Sequence, residues 1–313
     1  MGNRICALLG IHYPILLGGM AHVSRPPLVA AVSQSGGLGV LASGGLSPEK
    51  LEEAISEVRR LTDRPFGVNL MLMDQHVPEQ VEVLVRARVP AVATGAGSPA
   101  RYMEALKSAG ILVFPVVPAV ALAVRMEKLG ADGVVAEGTE AGGHVGTVTS
   151  MTLVPQVVDA VTIPVVAAGG IADGRGMAAA LALGAEAVQL GTRLLASEEA
   201  PVHKAFKEAV LQAKDRDTII TGQSVGRPVR CLVNKLTKDL AHCENRGGSA
   251  EEFEAMATGG LRRAVCEGDR ERGSLMAGQI AGLIREILPV QSILDQMVAE
   301  AKSILAQKGG LLP

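Results

Sequence analysis

His144 stands in the stretch Glu137-Gly138-Thr139-Glu140-Ala141-Gly142-Gly143-His144-Val145-Gly146. A histidine titrates near neutral pH, so in a glycine-rich loop it can serve as acid or base, and the glycines leave room for a flat ring close to backbone. A lone histidine can equally be structural. Glu137, which opens the same stretch, can accept a hydrogen bond from a ligand hydroxyl or simply cap the loop. Two other stretches suit an anion. Ala167-Ala168-Gly169-Gly170-Ile171-Ala172-Asp173-Gly174 and Gln189-Leu190-Gly191-Thr192-Arg193 both offer glycine N–H groups that can approach phosphate oxygens, and Thr192 adds a hydroxyl. Gly18-Gly19-Met20-Ala21-His22 has small residues and a flexible thioether suited to one face of a ring, or to an ordinary turn with a core methionine. Asn69 can donate and accept at once. Thr94-Gly95-Ala96-Gly97 is a further close-approach loop.

These stretches share one placement. Each follows a short apolar run rich in β-branched residues, at 14–17, 38–42, 66–70, 91–94, 112–116, 133–137, 164–168 and 187–190. Amphipathic segments such as 47–61, 100–109 and 120–129 lie between the runs. Ser47-Pro48-Glu49 reads as an N-cap with proline at the first helical position, and Gly110, Gly130 and Gly184 as left-handed helix ends. The regular spacing predicts a (β/α)8 TIM barrel rather than an open doubly wound sheet. In such a barrel the active site gathers at the C-terminal strand ends, and the last two loops form the usual phosphate site.

The pattern changes after residue 215. The expectation is a barrel over 1–215, a small inserted cap over 216–272, and C-terminal helices over 273–313 that pack back on the barrel. Within the cap, 218–233 alternates like strand. Short helices are expected at 235–240, 250–257 and 261–266, with 245–249 as a loop. The tail reads as two helices, 275–287 and 290–307.

Two motifs mislead. Gly37-Leu38-Gly39-Val40-Leu41-Ala42 has dinucleotide-fingerprint spacing but enters a strand, whereas that fingerprint leaves a strand and opens a helix. Gly222-Gln223-Ser224-Val225-Gly226 has nucleophile-elbow spacing, but Arg227-Pro228 and another strand-like run follow, so a plain turn accounts for it.

Composition narrows the classes further. The 313 residues are 48% hydrophobic, with no Trp, two Tyr and four Phe, so aliphatic side chains must fill the core. A net charge of -2 with no basic tail, and few aromatic stacking platforms, argue against nucleic acid. Cys6, Cys231, Cys243 and Cys266 form no C-x-x-C pair, and no histidine or carboxylate cluster suggests a metal. The N-terminus lacks an apolar signal region and no run is long enough to span a bilayer, which predicts a cytoplasmic protein. No lysine lies at a strand end as a Schiff-base candidate, which weighs against an aldolase-type barrel.

Taken together, Gly18-Gly19-Met20-Ala21, Phe66-Gly67-Val68-Asn69, Thr94-Gly95-Ala96-Gly97, the His144 stretch, the Gly169-Gly170 and Gly191-Thr192 stretches, and Gly273-Ser274-Leu275-Met276-Ala277-Gly278-Gln279-Ile280-Ala281-Gly282 resemble the nitronate monooxygenase (2-nitropropane dioxygenase) superfamily of FMN barrels. Within it the chain most resembles the flavin-dependent enoyl-[acyl-carrier-protein] reductase II group. The resemblance covers essentially the whole chain. It implies an FMN phosphate on Gly169, Gly170, Gly191 and Thr192. Asn69, Glu137 and Gly142 would contact ribityl or ring atoms, with Gln189 and Leu190 alongside. Gly19 and Met20 would line the ring, Met276 and Gln279 would close over it, and His144 would be the active-site histidine. It also implies NADH or NADPH as co-substrate, an enoyl thioester on acyl carrier protein or CoA, activation by a monovalent cation, and a homodimer. Arg227, Arg230, Lys235 and Lys238 are a candidate landing patch for an acidic carrier. Oxidation of alkyl nitronates with oxygen is the alternative activity.

Overall fold

The computed structural model describes residues 2–308. Eleven strands are β1 (Ile15–Leu17), β2 (Gly39–Ala42), β3 (Phe66–Met71), β4 (Ala91–Gly95), β5 (Leu112–Val117), β6 (Val134–Glu137), β7 (Gly143–His144), β8 (Val165–Ala168), β9 (Ala187–Leu190), β10 (Thr218–Thr221) and β11 (Val229–Leu232). Eight of them run parallel in the order β1-β9-β8-β6-β5-β4-β3-β2. A parallel bridge from Leu16 to Leu38 joins β1 to β2 and brings the two ends of the sheet together. The result is the (β/α)8 barrel expected from the spacing. β2, β8 and β9 are buried along their whole length, as strands covered on both faces must be, which is why they appear as largely apolar runs, with Gln189 of β9 the polar exception.

The helices follow local rules. Ser47 caps Pro48–Leu61 by accepting from the Lys50 N–H, and Leu51, Ile55 and Val58 form its buried stripe. Gly110, Gly130 and Gly184 take φ of +74°, +88° and +94°, as expected of glycines ending helices. The segment 100–109 splits into a 3-10 turn, Pro99–Arg101, and a helix, Met103–Ser108. Gly39 lies at a helix crossing: a Cβ there would come within 2.0 Å of the Val29 carbonyl oxygen. Close packing of Pro26–Gln34 on β2 thus explains the glycine that mimicked a dinucleotide motif.

After the barrel, β10 and β11 form an antiparallel hairpin, and β11 pairs in turn with β7. The turn between β10 and β11 holds Ser224, whose hydroxyl donates to Glu244 at 3.0 Å, so the elbow-like motif is a turn. The first cap helix is Lys235–Asn245, longer than expected at its C-terminal end. Leu236, Leu240 and Cys243 continue one buried stripe and pack on Phe253 from Ala250–Ala257 in a small separate core. The expected helix at 261–266 is a short helix, Gly260–Arg262, followed by a π turn, Arg263–Glu267.

The tail differs from expectation over 275–287. Only Gln279–Leu283 is helical, as a 3-10 turn. Its polar backbone groups are claimed from elsewhere: Leu275 C=O accepts from the Leu232 N–H, the Gly278 N–H donates to Thr192 Oγ1, and the Gln279 N–H donates to the Glu140 carbonyl, each at 2.9 Å. The final helix, Val290–Lys308, packs chiefly on Gly174–Ala182. Among the described residues no helix is long and apolar enough to cross a membrane.

Candidate active site

One cavity of about 590 Å³ opens at the C-terminal ends of the barrel strands. That size lies within the range of small-molecule sites. Gly19, Met20, Asn69, Glu137, Gly142, His144, Gly169, Gly170, Gln189, Gly191, Thr192 and Met276 all line it. Leu190 and Gln279 do not: Leu190 is buried, with its carbonyl accepting from the Gly18 N–H at 2.9 Å, and Gln279 is exposed. Sequence reasoning passed over the β5 wall of Val116, Val117 and Pro118, which carries no polar group to mark it. It also passed over Ser24. This fully buried hydroxyl accepts from the Met20 N–H at 3.0 Å and donates to the Gly18 carbonyl at 2.8 Å, holding the first loop in shape.

The floor suits a phosphate. Gly169 and Gly170 take φ of +85° and +76°, which turns the chain sharply after β8. Among the described residues, the N–H groups of Gly170, Gly191 and Thr192 donate to no protein acceptor. Thr192 Oγ1 accepts from Gly278, which leaves its own proton free to donate. Backbone N–H groups that no protein acceptor claims can meet an anion's oxygens, so this corner fits an anionic group.

His144 lies on β7, which pairs with Val229 and Arg230 of β11, so the cap hairpin sets its position. His144 is exposed at the cavity, where desolvation by the surrounding protein, with Arg227 a lesser cause, holds its pKa below the ordinary histidine value. The same loop is tied to the barrel by Glu140, whose carboxylate accepts from the Ser150 N–H at 3.0 Å. His22 lies outside this cavity, on the wall of a second one, with φ of +63°. His203 caps the helix Lys204–Gln212, accepting from the Ala205 N–H. Among the described residues no cluster of His, Cys, Asp or Glu has the arrangement of a metal site.

The basic patch does not form as expected. Arg230 is buried, and its guanidinium donates to the Thr139 carbonyl and to Thr218 Oγ1. Arg227 pairs with Glu254 at 3.2 Å. Arg227, Lys235 and Lys238 remain exposed.

Glu137 carries a measurable consequence. Burial raises its carboxyl from 4.5 to about 7. The folded protein therefore binds a proton there that the unfolded chain has released, so stability is full below the ordinary carboxylate value and is lost as pH rises through about 7. In ligand-free protein, Glu137→Gln is expected to remove this slope. By urea unfolding the variant should exceed the wild type at about pH 8 by up to roughly 3 kcal/mol and converge with it near pH 4. Parallel pH profiles for the two proteins would refute the assignment.

A family model described as nitronate monooxygenase matches residues 3–80 and 74–300. The chain is 34% identical to a Rhodococcus jostii protein named (3aS,4S,5R,7aS)-5-hydroxy-7a-methyl-1-oxo-octahydro-1H-indene-4-carboxyl-CoA dehydrogenase, covering 99% of this chain and 98% of that one. It is 32% identical to a probable nitronate monooxygenase of Staphylococcus aureus, covering 98% and 99%. Among solved structures, FabK from Thermotoga maritima aligns over 100% of both chains with 49% identity and a TM-score of 0.97.

Proposed function

The chain belongs to the nitronate monooxygenase family, and from that premise we propose that it is an FMN-dependent enoyl-[acyl-carrier-protein] reductase that uses NADH or NADPH to saturate the trans-2 double bond of an enoyl thioester. The observation that carries this reading is the cavity at the barrel mouth, lined both by unclaimed backbone donors and by His144. The 49% identity to FabK against 32% to the probable nitronate monooxygenase supports a reductase, as does the CoA thioester in the Rhodococcus relative's name.

Gly169, Gly170, Gly191 and Thr192 would hold the FMN phosphate. Asn69, Gln189, Glu137 and Gly142 would meet the ribityl chain and ring edge, and Gly19, Met20 and Met276 would line the ring. Bound FMN would supply hydride acceptance from NAD(P)H and hydride donation to the substrate β-carbon. His144 then holds the proton that the α-carbon receives. Its depressed pKa makes the imidazolium a ready donor, and the glycines around it let the thioester lie close to backbone.

One observation favours a second reading. A histidine held below its ordinary pKa is mostly neutral at neutral pH, which is the form that removes a proton from a nitroalkane carbon. Anaerobic stopped-flow separates the two. The reductase should bleach rapidly with NADH or NADPH and regain its colour with crotonyl thioester. Bleaching by a nitronate alone, with no response to either nucleotide, would exclude the reductase.

A further inference from the structure

On the far side of the His144–Val229 ladder lies a second cavity of about 290 Å³, lined by cap residues and by His22 of the first barrel loop. Met276 and Leu261 line both cavities, so these two side chains form the partition. Met276 sits directly over the active-site loop, since a Cβ on Gly143 would lie 3.8 Å from its sulfur. Both partition residues are half-buried, and a thioether swings between rotamers at little cost. The opposite wall comes from Val229, the residue paired with His144 across the ladder, and from Cys231 on the same strand. Leu240, Phe253 and Ala257 complete an apolar chamber.

The charged groups at its rim are already answered. Arg227 pairs with Glu254 and Arg262 with Glu267, and His22 is held toward its neutral form by burial and by Arg25 and Arg262. Burial pushes the Cys231 thiol up to about 12, so it too is neutral. Neutral walls and neutralised cations suit a hydrocarbon better than a phosphate. Resting on the reductase reading, we propose that this second cavity receives the distal end of the substrate's acyl chain, which passes Met276 and Leu261 while the enoyl carbons lie beside His144. The chamber thereby selects medium and long acyl chains over short ones.

The test compares kcat/KM for crotonyl-, octenoyl- and dodecenoyl-CoA in the yellow enzyme. Each methylene taken up should raise kcat/KM roughly fourfold until the chamber is full. Ala257→Phe and, separately, Cys231→Leu narrow the chamber from opposite sides. Each should lower the dodecenoyl-to-crotonyl ratio of kcat/KM by at least about tenfold, and because the readout is a ratio, a partial loss of folded protein leaves it unmoved. A wild-type profile that does not rise with chain length, or a rising one that both substitutions leave unchanged, overturns the tail chamber while the reductase reading stands. An enzyme that reduces none of the three thioesters overturns both.

Discussion

Replacing His144 with alanine is expected to leave the protein yellow and to slow enoyl reduction by roughly 10²–10⁴-fold, the usual worth of a positioned proton donor. The separation of the two effects follows from the geometry. His144 is held by the backbone ladder to β11, and among the described residues its ring makes no hydrogen bond to protein. Truncation therefore leaves no buried partner unsatisfied, and the unclaimed N–H groups at Gly170, Gly191 and Thr192 are untouched. The pH profile gives a second readout. A donor must be protonated, so the wild-type rate should fall as pH rises through a value below 6.5, and His144→Ala should lack that limb. Flavin absorbance and steady-state rates across pH check both statements. Loss of the flavin on truncation would make the residue structural and remove it from the chemistry.

The barrel was legible because its strands have a local signature. A parallel strand covered on both faces is mostly apolar, and several of these runs are followed by a helix whose cap or terminal glycine announces it. The lining residues were legible for the same reason, since barrel chemistry is confined to strand ends. What failed depended on partners far along the chain. Residues 275–287 are apolar enough to read as helix, yet Gly278 and Gln279 give their N–H groups to Thr192 and Glu140. Arg230 reads as a solvated charge, but the register of β11 turns its guanidinium inward onto Thr139 and Thr218. The loop at His144 gave no sign of being a strand, because its ladder partner lies in the cap and only tertiary pairing creates it.

That same long-range dependence makes Gly142 a sensitive backbone position at the site. Gly142→Ala is expected to weaken FMN binding by roughly a hundredfold, through loss of two hydrogen bonds together with overpacking. A Cβ at Gly142 would sit 2.6 Å from the Ala277 carbonyl carbon and the Gly278 nitrogen. Those are backbone atoms and cannot turn aside as a side chain would. The tail must therefore retreat. Its retreat pulls Gly278 from Thr192 Oγ1 and Gln279 from the Glu140 carbonyl, beside the Gly169-Gly170 loop. One methyl group thus loosens two of the contacts that hold the tail against the cradle. Gly95→Ala supplies the contrast: Gly95 lines the same cavity, but nothing lies within 4 Å of a Cβ placed there. Thermal unfolding without flavin should separate the pair, with Gly142→Ala lowering Tm and Gly95→Ala leaving it unchanged. Fluorescence titration with FMN then measures the affinity of the Gly142 variant. A Kd equal to that of the wild type would mean that the tail yields freely, and that the contact between Gly278 and Thr192 is not what holds the cradle in shape.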